Sequence, residues 1–222
     1  MTDREILRTI DHTLLRPEAT LREILAHCAE ALACGAASAC IPPAYVRPAA
    51  EETGPALNIC TVIGFPLGYG AGATKVMETE LALRDGAGEI DMVINIGAVK
   101  SGRFDHCLAE IRAVREACPG KILKVIVETC YLDDEEKKRL CDVVAESGAD
   151  FIKTSTGFGS AGATLADVEL FARRLSGSGV KIKAAGGVRT REDMEAFIEA
   201  GASRIGTSSA LRLLSGLAPR QY

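Results

Sequence analysis

The chain has 222 residues, 47% hydrophobic and 25% charged, the composition of an ordinary globular α/β domain with enough apolar surface for its own core. A net charge of −4 and the lack of a basic cluster argue against nucleic acid or an anionic membrane as a partner. No run reaches the ~18 unbroken apolar residues of a membrane span, and the charged opening MTDREILRTIDHTLLRP lacks a signal-like apolar region, so a cytoplasmic protein is expected.

Short apolar runs rich in Val and Ile recur along the chain, as expected of buried parallel strands. TIDHTLL (9–15) is the first, followed by the helical pattern TLREILAHCAEALACG and then by ASACIP (37–42) and NICTVIGF (58–65). ATKVMETELALRDGAG leads to EIDMVIN (89–95), RFDHCLAEIRAVREAC to KILKVIVE (121–128), and LDDEEKKRLCDVVAESGA to DFIKTST (150–156). ADVELFARRLSG precedes VKIKAAG (180–186), and REDMEAFIEAGA precedes SRIGTSS (203–209). Several helices end on Gly-Ala just before the next strand, a left-handed cap followed by a tight helix–strand contact. Thr164, Thr190 and Asp133, each followed by acidic residues, predict helix N-caps. Eight strands with short connections, and no early G-x-G-x-x-G turn, predict a single (β/α)8 TIM barrel over residues 1–222 rather than an open doubly wound sheet. Chemistry in such a barrel sits where strands end and βα-loops begin.

Buried strands should be apolar, yet Asp91, Lys124, Glu128, Lys153 and Lys183 all fall inside these runs. An unpaired buried charge is too costly to be accidental. Alternate strand residues share a face, which groups Asp91 with Val93, Lys153 with Ser155, and Lys183 with Lys181 and Ala185. If those faces line the barrel, two lysines and one carboxylate converge in its upper part. A self-neutralising ion pair would explain one lysine with one aspartate, but not two lysines on successive strands, because like charges repel. A lysine attacks a carbonyl only as the free amine, and from an ordinary pKa of about 10.4 only about one in a thousand is free at neutral pH. Desolvation and a neighbouring ammonium both raise that fraction. One lysine is then the nucleophile and the other its activator, while the carboxylate moves protons between iminium and enamine. That set describes a Schiff-base aldolase without a metal or other cofactor.

Phosphate binding needs backbone N–H groups and a helix N-terminus. Gly186 and Gly187 just past the seventh run, Ser208 and Ser209 at the start of the last helix after the eighth, and Gly157 after the sixth supply candidates at the usual barrel phosphate site. The eight cysteines, with no C-x-x-C pair, read as reduced thiols, and Cys40 as a core thiol rather than a pocket residue. Histidines 12, 27 and 106 show no metal-ligand spacing, so no metal is expected.

The segments IDHTLLRPEAT, CTVIGFPLG, GEIDMVINIGAVKSG, LKVIVETCYL, GADFIKTSTGF, KAAGGVRT and RIGTSS, in this order over nearly the whole chain, resemble the deoxyribose-phosphate aldolase family. The resemblance implies a Schiff base on Lys153, with Lys183 and Asp91 as the proton-transfer and activating residues. It also implies cofactor-free, reversible cleavage of 2-deoxyribose 5-phosphate to glyceraldehyde 3-phosphate and acetaldehyde. Some members carry a lysine where this chain has Phe158, and YGAGATKVME after PLG also departs from the family pattern, which bears on phosphate affinity and substrate breadth. Some members end on a tyrosine proposed to reach the active site; for Tyr222 here, chain reach predicts that Schiff-base formation does not need it. Two other readings stay open: another Schiff-base barrel such as a transaldolase or dehydratase, and a non-catalytic sugar-phosphate binding barrel. Barrel enzymes often associate, so a homodimer or homotetramer is expected.

Overall fold

The computed structural model describes residues 1–210 and residue 214. Eight parallel strands close into a barrel in sequence order: β1 (Ile10–Thr13), β2 (Ser38–Ile41), β3 (Ile59–Ile63), β4 (Glu89–Val93), β5 (Ile122–Ile126), β6 (Phe151–Lys153), β7 (Lys181–Ala185) and β8 (Arg204–Thr207). β8 returns to β1 with Ile10 opposite Ile205, which closes the ring and leaves no sheet edge. Each strand lies inside its expected run, and the expected (β/α)8 barrel is the observed fold.

Among the described residues the helices are α1 (Asp3–Leu7), α2 (Leu21–Cys34), α3 (Val46–Thr53), α4 (Gly72–Arg84), α5 (Ile96–Lys100), α6 (Phe104–Ala117), α7 (Asp134–Ser147), α8 (Leu165–Arg174) and α9 (Arg191–Glu199), with Ala210 and Leu214 also helical. Thr20, Asp133 and Thr190 each form a full capping box, and Thr164 accepts the N–H of Asp167. α2 and α7 end on Gly35 and Gly148 in the left-handed conformation. α1, α3 and α5 were not expected from the hydrophobic pattern.

Strand alternation divides the interior in two. Ile10, Ile41, Ile59, Ile90, Met92, Leu123, Val125, Ile152, Ile182 and Ile205 pack outward against the helices in one continuous apolar layer with Ile24, Ile111, Val144, Val168, Phe171 and Met194. The opposite strand faces point into the barrel and carry the polar residues described below. Cys40, Cys60 and Val62 form a small separate cluster there, under Leu15 and Phe65. All eight cysteines are unpaired thiols and Cys40 is fully buried, as a core thiol should be. Among the described residues no helix is long and apolar enough to cross a membrane. Tyr222 lies outside the described residues.

Candidate active site

Asp91 on β4, Lys153 on β6 and Lys183 on β7 meet in the barrel. Asp91 Oδ2 accepts from Lys153 Nζ at 2.8 Å and from Lys183 Nζ at 2.7 Å. The register places Lys153 directly beside Lys183, so alternation turns both ammonium groups to the same side of the sheet.

Four further charged residues join them. Lys124 on β5 reaches Asp91 Oδ1 at 2.8 Å, Asp11 on β1 at 3.5 Å, and Glu89 on β4. Lys183 also pairs with Asp11 at 2.5 Å. Arg204 on β8 pairs with Asp11 at 2.5 Å and with Glu89 at 3.3 Å. β1 and β5 lie across the ring, so these bonds pass through the barrel interior. Ser38 and Cys60 donate to Asp11 and Asp91, at 2.7 and 3.1 Å.

Sequence reasoning singled out Lys124 without giving it a part, and passed over Asp11, Glu89 and Arg204. The same signal, a charge inside a strand, marks all of them. Glu89 also shares its strand face with Asp91.

The network holds four cations, Lys124, Lys153, Lys183 and Arg204, against three carboxylates, Asp11, Glu89 and Asp91. Losing one lysine proton therefore leaves it electrically balanced. Burial alone would push Asp91 up; Lys124, Lys153 and Lys183 outweigh it and hold the carboxyl well below the usual range. Burial alone would push Lys183 down; Asp11 and Asp91 outweigh it and keep the ammonium charged above the usual lysine range. Lys124 is held charged in the same way, by Asp11 and Asp91 against its burial. Lys153 pairs with a single carboxylate, whereas Lys183 pairs with two and Lys124 with three.

Above this network lies a cavity of about 670 Å³ at the C-terminal ends of the strands. Of the network's residues, Lys153 lines it; Lys183 and Asp91 lie beneath. Gly157, Gly186, Gly187, Ser208 and Ser209 all line the same cavity, so the lysine and all five phosphate candidates share one space. Gly186 has φ 80°, and a β-carbon on it would sit 3.0 Å from the Cα of Gly162, so a side chain in the turn after β7 would be strained and would crowd that backbone. Thr207 Oγ1 accepts the N–H of Ser209 at 3.2 Å, which shapes the turn after β8. Arg16 and Arg189 stand at the rim, and Phe158 closes one side, edge-on to Phe65 at 5.2 Å.

His12 and His27, distant in sequence, stack with ring centroids 3.6 Å apart and planes 13° from parallel. With Glu30 they bring three donor atoms within 4.8 Å of one another, a grouping that linear spacing did not reveal. The lone pairs of parallel rings run side by side rather than converging on one ion, so the stack is poor metal-binding geometry.

A family model described as DeoC/LacD family aldolase matches residues 6–218. The chain is 53% identical to a deoxyribose-phosphate aldolase of Clostridium botulinum over 222 residues, covering all of both chains. It is 55% identical to one of Streptococcus pyogenes over 220 residues, covering 99% of this chain and 98% of that one. Among solved structures it is similar to the tetrameric deoxyribose phosphate aldolase of Aeropyrum pernix, with a TM-score of 0.88, 31% identity, and coverage of 97% of this chain and 92% of that one.

Proposed function

The chain belongs to the DeoC/LacD aldolase family, and from that membership we propose that it cleaves 2-deoxy-D-ribose 5-phosphate through a Schiff base on Lys153. It is an enzyme, a carbon–carbon lyase of the deoxyribose-phosphate aldolase type. The observation that carries the residue assignment is the position of Lys153: it belongs to a buried network with one surplus cation, and it is the lysine of that network that lines the cavity.

The neutral amine of Lys153 adds to the C1 aldehyde of the open-chain sugar, and loss of water leaves an iminium. The C3 hydroxyl gives up its proton, the C2–C3 bond breaks, and its electron pair moves into the enamine, so glyceraldehyde 3-phosphate departs. Protonation at C2 and hydrolysis then release acetaldehyde and restore the amine. The iminium is the electron sink, so no cofactor enters the step. Lys183, held charged, is the proton donor. Asp91 Oδ2 accepts from both lysine nitrogens, which suits it to pass protons between them and to hold them in place. The phosphate docks on the turns at Gly157, Gly186, Gly187, Ser208 and Ser209, where N–H groups at loop ends favour an anion.

The reading also places the enzyme in the cytoplasm as a homo-oligomer. Its thiols are unpaired, and the Aeropyrum pernix relative is a tetramer. The functional test is direct. Incubation with 2-deoxy-D-ribose 5-phosphate is expected to release acetaldehyde and glyceraldehyde 3-phosphate in equal amounts, followed by coupled dehydrogenase assays. A transaldolase or dehydratase would leave this substrate intact, and a binding-only barrel would bind it without turnover.

A further inference from the structure

Glu128 stands just past the end of β5, and the mechanism does not use it. Among the described residues it is the one non-glycine with positive φ, at φ 55° and ψ 67°. A left-handed backbone on a side chain with a β-carbon is strained, and it persists where the surroundings over-determine it. The carboxylate is buried, at 2% exposure. The other buried carboxylates among the described residues, Asp11, Glu89, Asp91, Glu110 and Asp167, each pair with a cation. Glu128 has no such ion pair among the described residues. A buried carboxylate without a cation must be compensated by hydrogen bonds.

The short bonds come from one residue, Thr156, while the Cys130 thiol makes a longer contact to Oε1 at 4.0 Å. Thr156 N–H donates to both carboxylate oxygens at 3.2 Å, and the Thr156 hydroxyl donates to Oε2. The hydroxyl in turn accepts Phe158 N–H at 3.0 Å. This chain of bonds encloses Gly157, whose φ is 89°. At Gly159 a β-carbon would lie 3.1 Å from the Glu128 carboxyl carbon, so the loop passes directly against it. Thr156, Gly157 and Phe158 line the cavity beside Lys153, whereas Glu128 does not reach it.

We propose that Glu128 is a positioning residue: its carboxylate holds the loop after β6 in the shape that presents Gly157 to the substrate phosphate. This rests on the reading that the cavity takes a phosphorylated sugar at that end. Glu128 acts through Thr156 and touches neither the reacting carbons nor Lys153.

The test compares kcat and KM for 2-deoxyribose 5-phosphate and for unphosphorylated 2-deoxyribose, in the parent enzyme and in Glu128→Gln. The parent is expected to favour the phosphorylated sugar strongly. Equal kcat/KM for the two sugars in the parent would overturn the phosphate reading itself, whatever the variant does. Given that preference, Glu128→Gln is expected to raise KM for the phosphorylated sugar at least tenfold, with a change below threefold in kcat for either sugar. The preference then shrinks. A variant that keeps the parental preference, or loses activity equally on both sugars, overturns the proposal, because a merely structural role would not distinguish them. If Glu128→Gln does not fold by circular dichroism, Glu128→Gly removes the carboxylate and relieves the left-handed strain together, and the same loss of preference is expected from it.

Discussion

Asp91→Asn is expected to lose both stability and turnover while keeping the side chain's shape. Asp91 Oδ1 accepts from Lys124, and Oδ2 from Lys153 and Lys183. Whichever way an asparagine amide is turned, its NH2 faces an ammonium, donor against donor. The substitution also leaves four cations, three of them buried lysines, against Asp11 and Glu89. Removing one partner from a buried ion pair typically costs about 3–5 kcal/mol, which in a chain of this size lowers the melting temperature by roughly 10 °C. With the proton path between the two lysines gone, kcat should fall by about 10²–10⁴. The pH dependence has a defined sign. Asp91 is held below its ordinary range in the folded state, so its contribution is complete above the unfolded value of about 3.9 and is lost as pH falls through the lower folded value. Thermal melts between neutral and acidic pH check this: the parent should lose its advantage over the variant as the pH drops below about 4. A variant with parental turnover and an unchanged melting temperature contradicts the account.

Lys183→Leu acts on the charge balance. It leaves Lys124, Lys153 and Arg204 against Asp11, Glu89 and Asp91. Forming the free amine at Lys153 then strands a surplus negative charge in the barrel, where the parent would have been balanced. The pH–rate profile is expected to move to higher pH. At neutral pH, kcat/KM should fall by roughly one to three orders of magnitude, the scale of nearby-charge effects on titration. The variant also lacks the ammonium that donates the proton, so raising the pH should restore only part of the rate. A pH profile superimposable on the parent's would show that Lys183 does not govern the amine.

Much of this was legible from sequence because parallel barrel strands are short, β-branched and buried on both faces. A charged residue inside such a run stands out, and alternation assigns it a face. That logic found Asp91, Lys153 and Lys183. It applies equally to Asp11, Glu89 and Arg204, which were missed because they lie near the starts of their strands, where an exposed end is the simpler expectation. The pairing of Lys124 with Asp11 could not be read: Asp11 lies across the ring and only closure of the barrel brings the two together.

α3 was hidden by its prolines. Pro48 falls in the first turn, where the missing N–H costs no helical bond, yet the segment PPAYVRPAAEETGP reads as a loop. The backbone of Glu128 was also beyond reach. As the eighth residue of KILKVIVE it reads as an ordinary strand end, and nothing local in the sequence announces a left-handed turn.

The most direct measurement is reductive trapping. The parent enzyme is incubated with acetaldehyde and borohydride, digested, and mapped by mass spectrometry. A single ethyl group on Lys153 is expected, absent from Lys153→Met, with aldolase activity lost in proportion to labelling. An ethyl group found on Lys183 or Lys124 instead, or full activity surviving complete modification of Lys153, would contradict the assignment of the nucleophile.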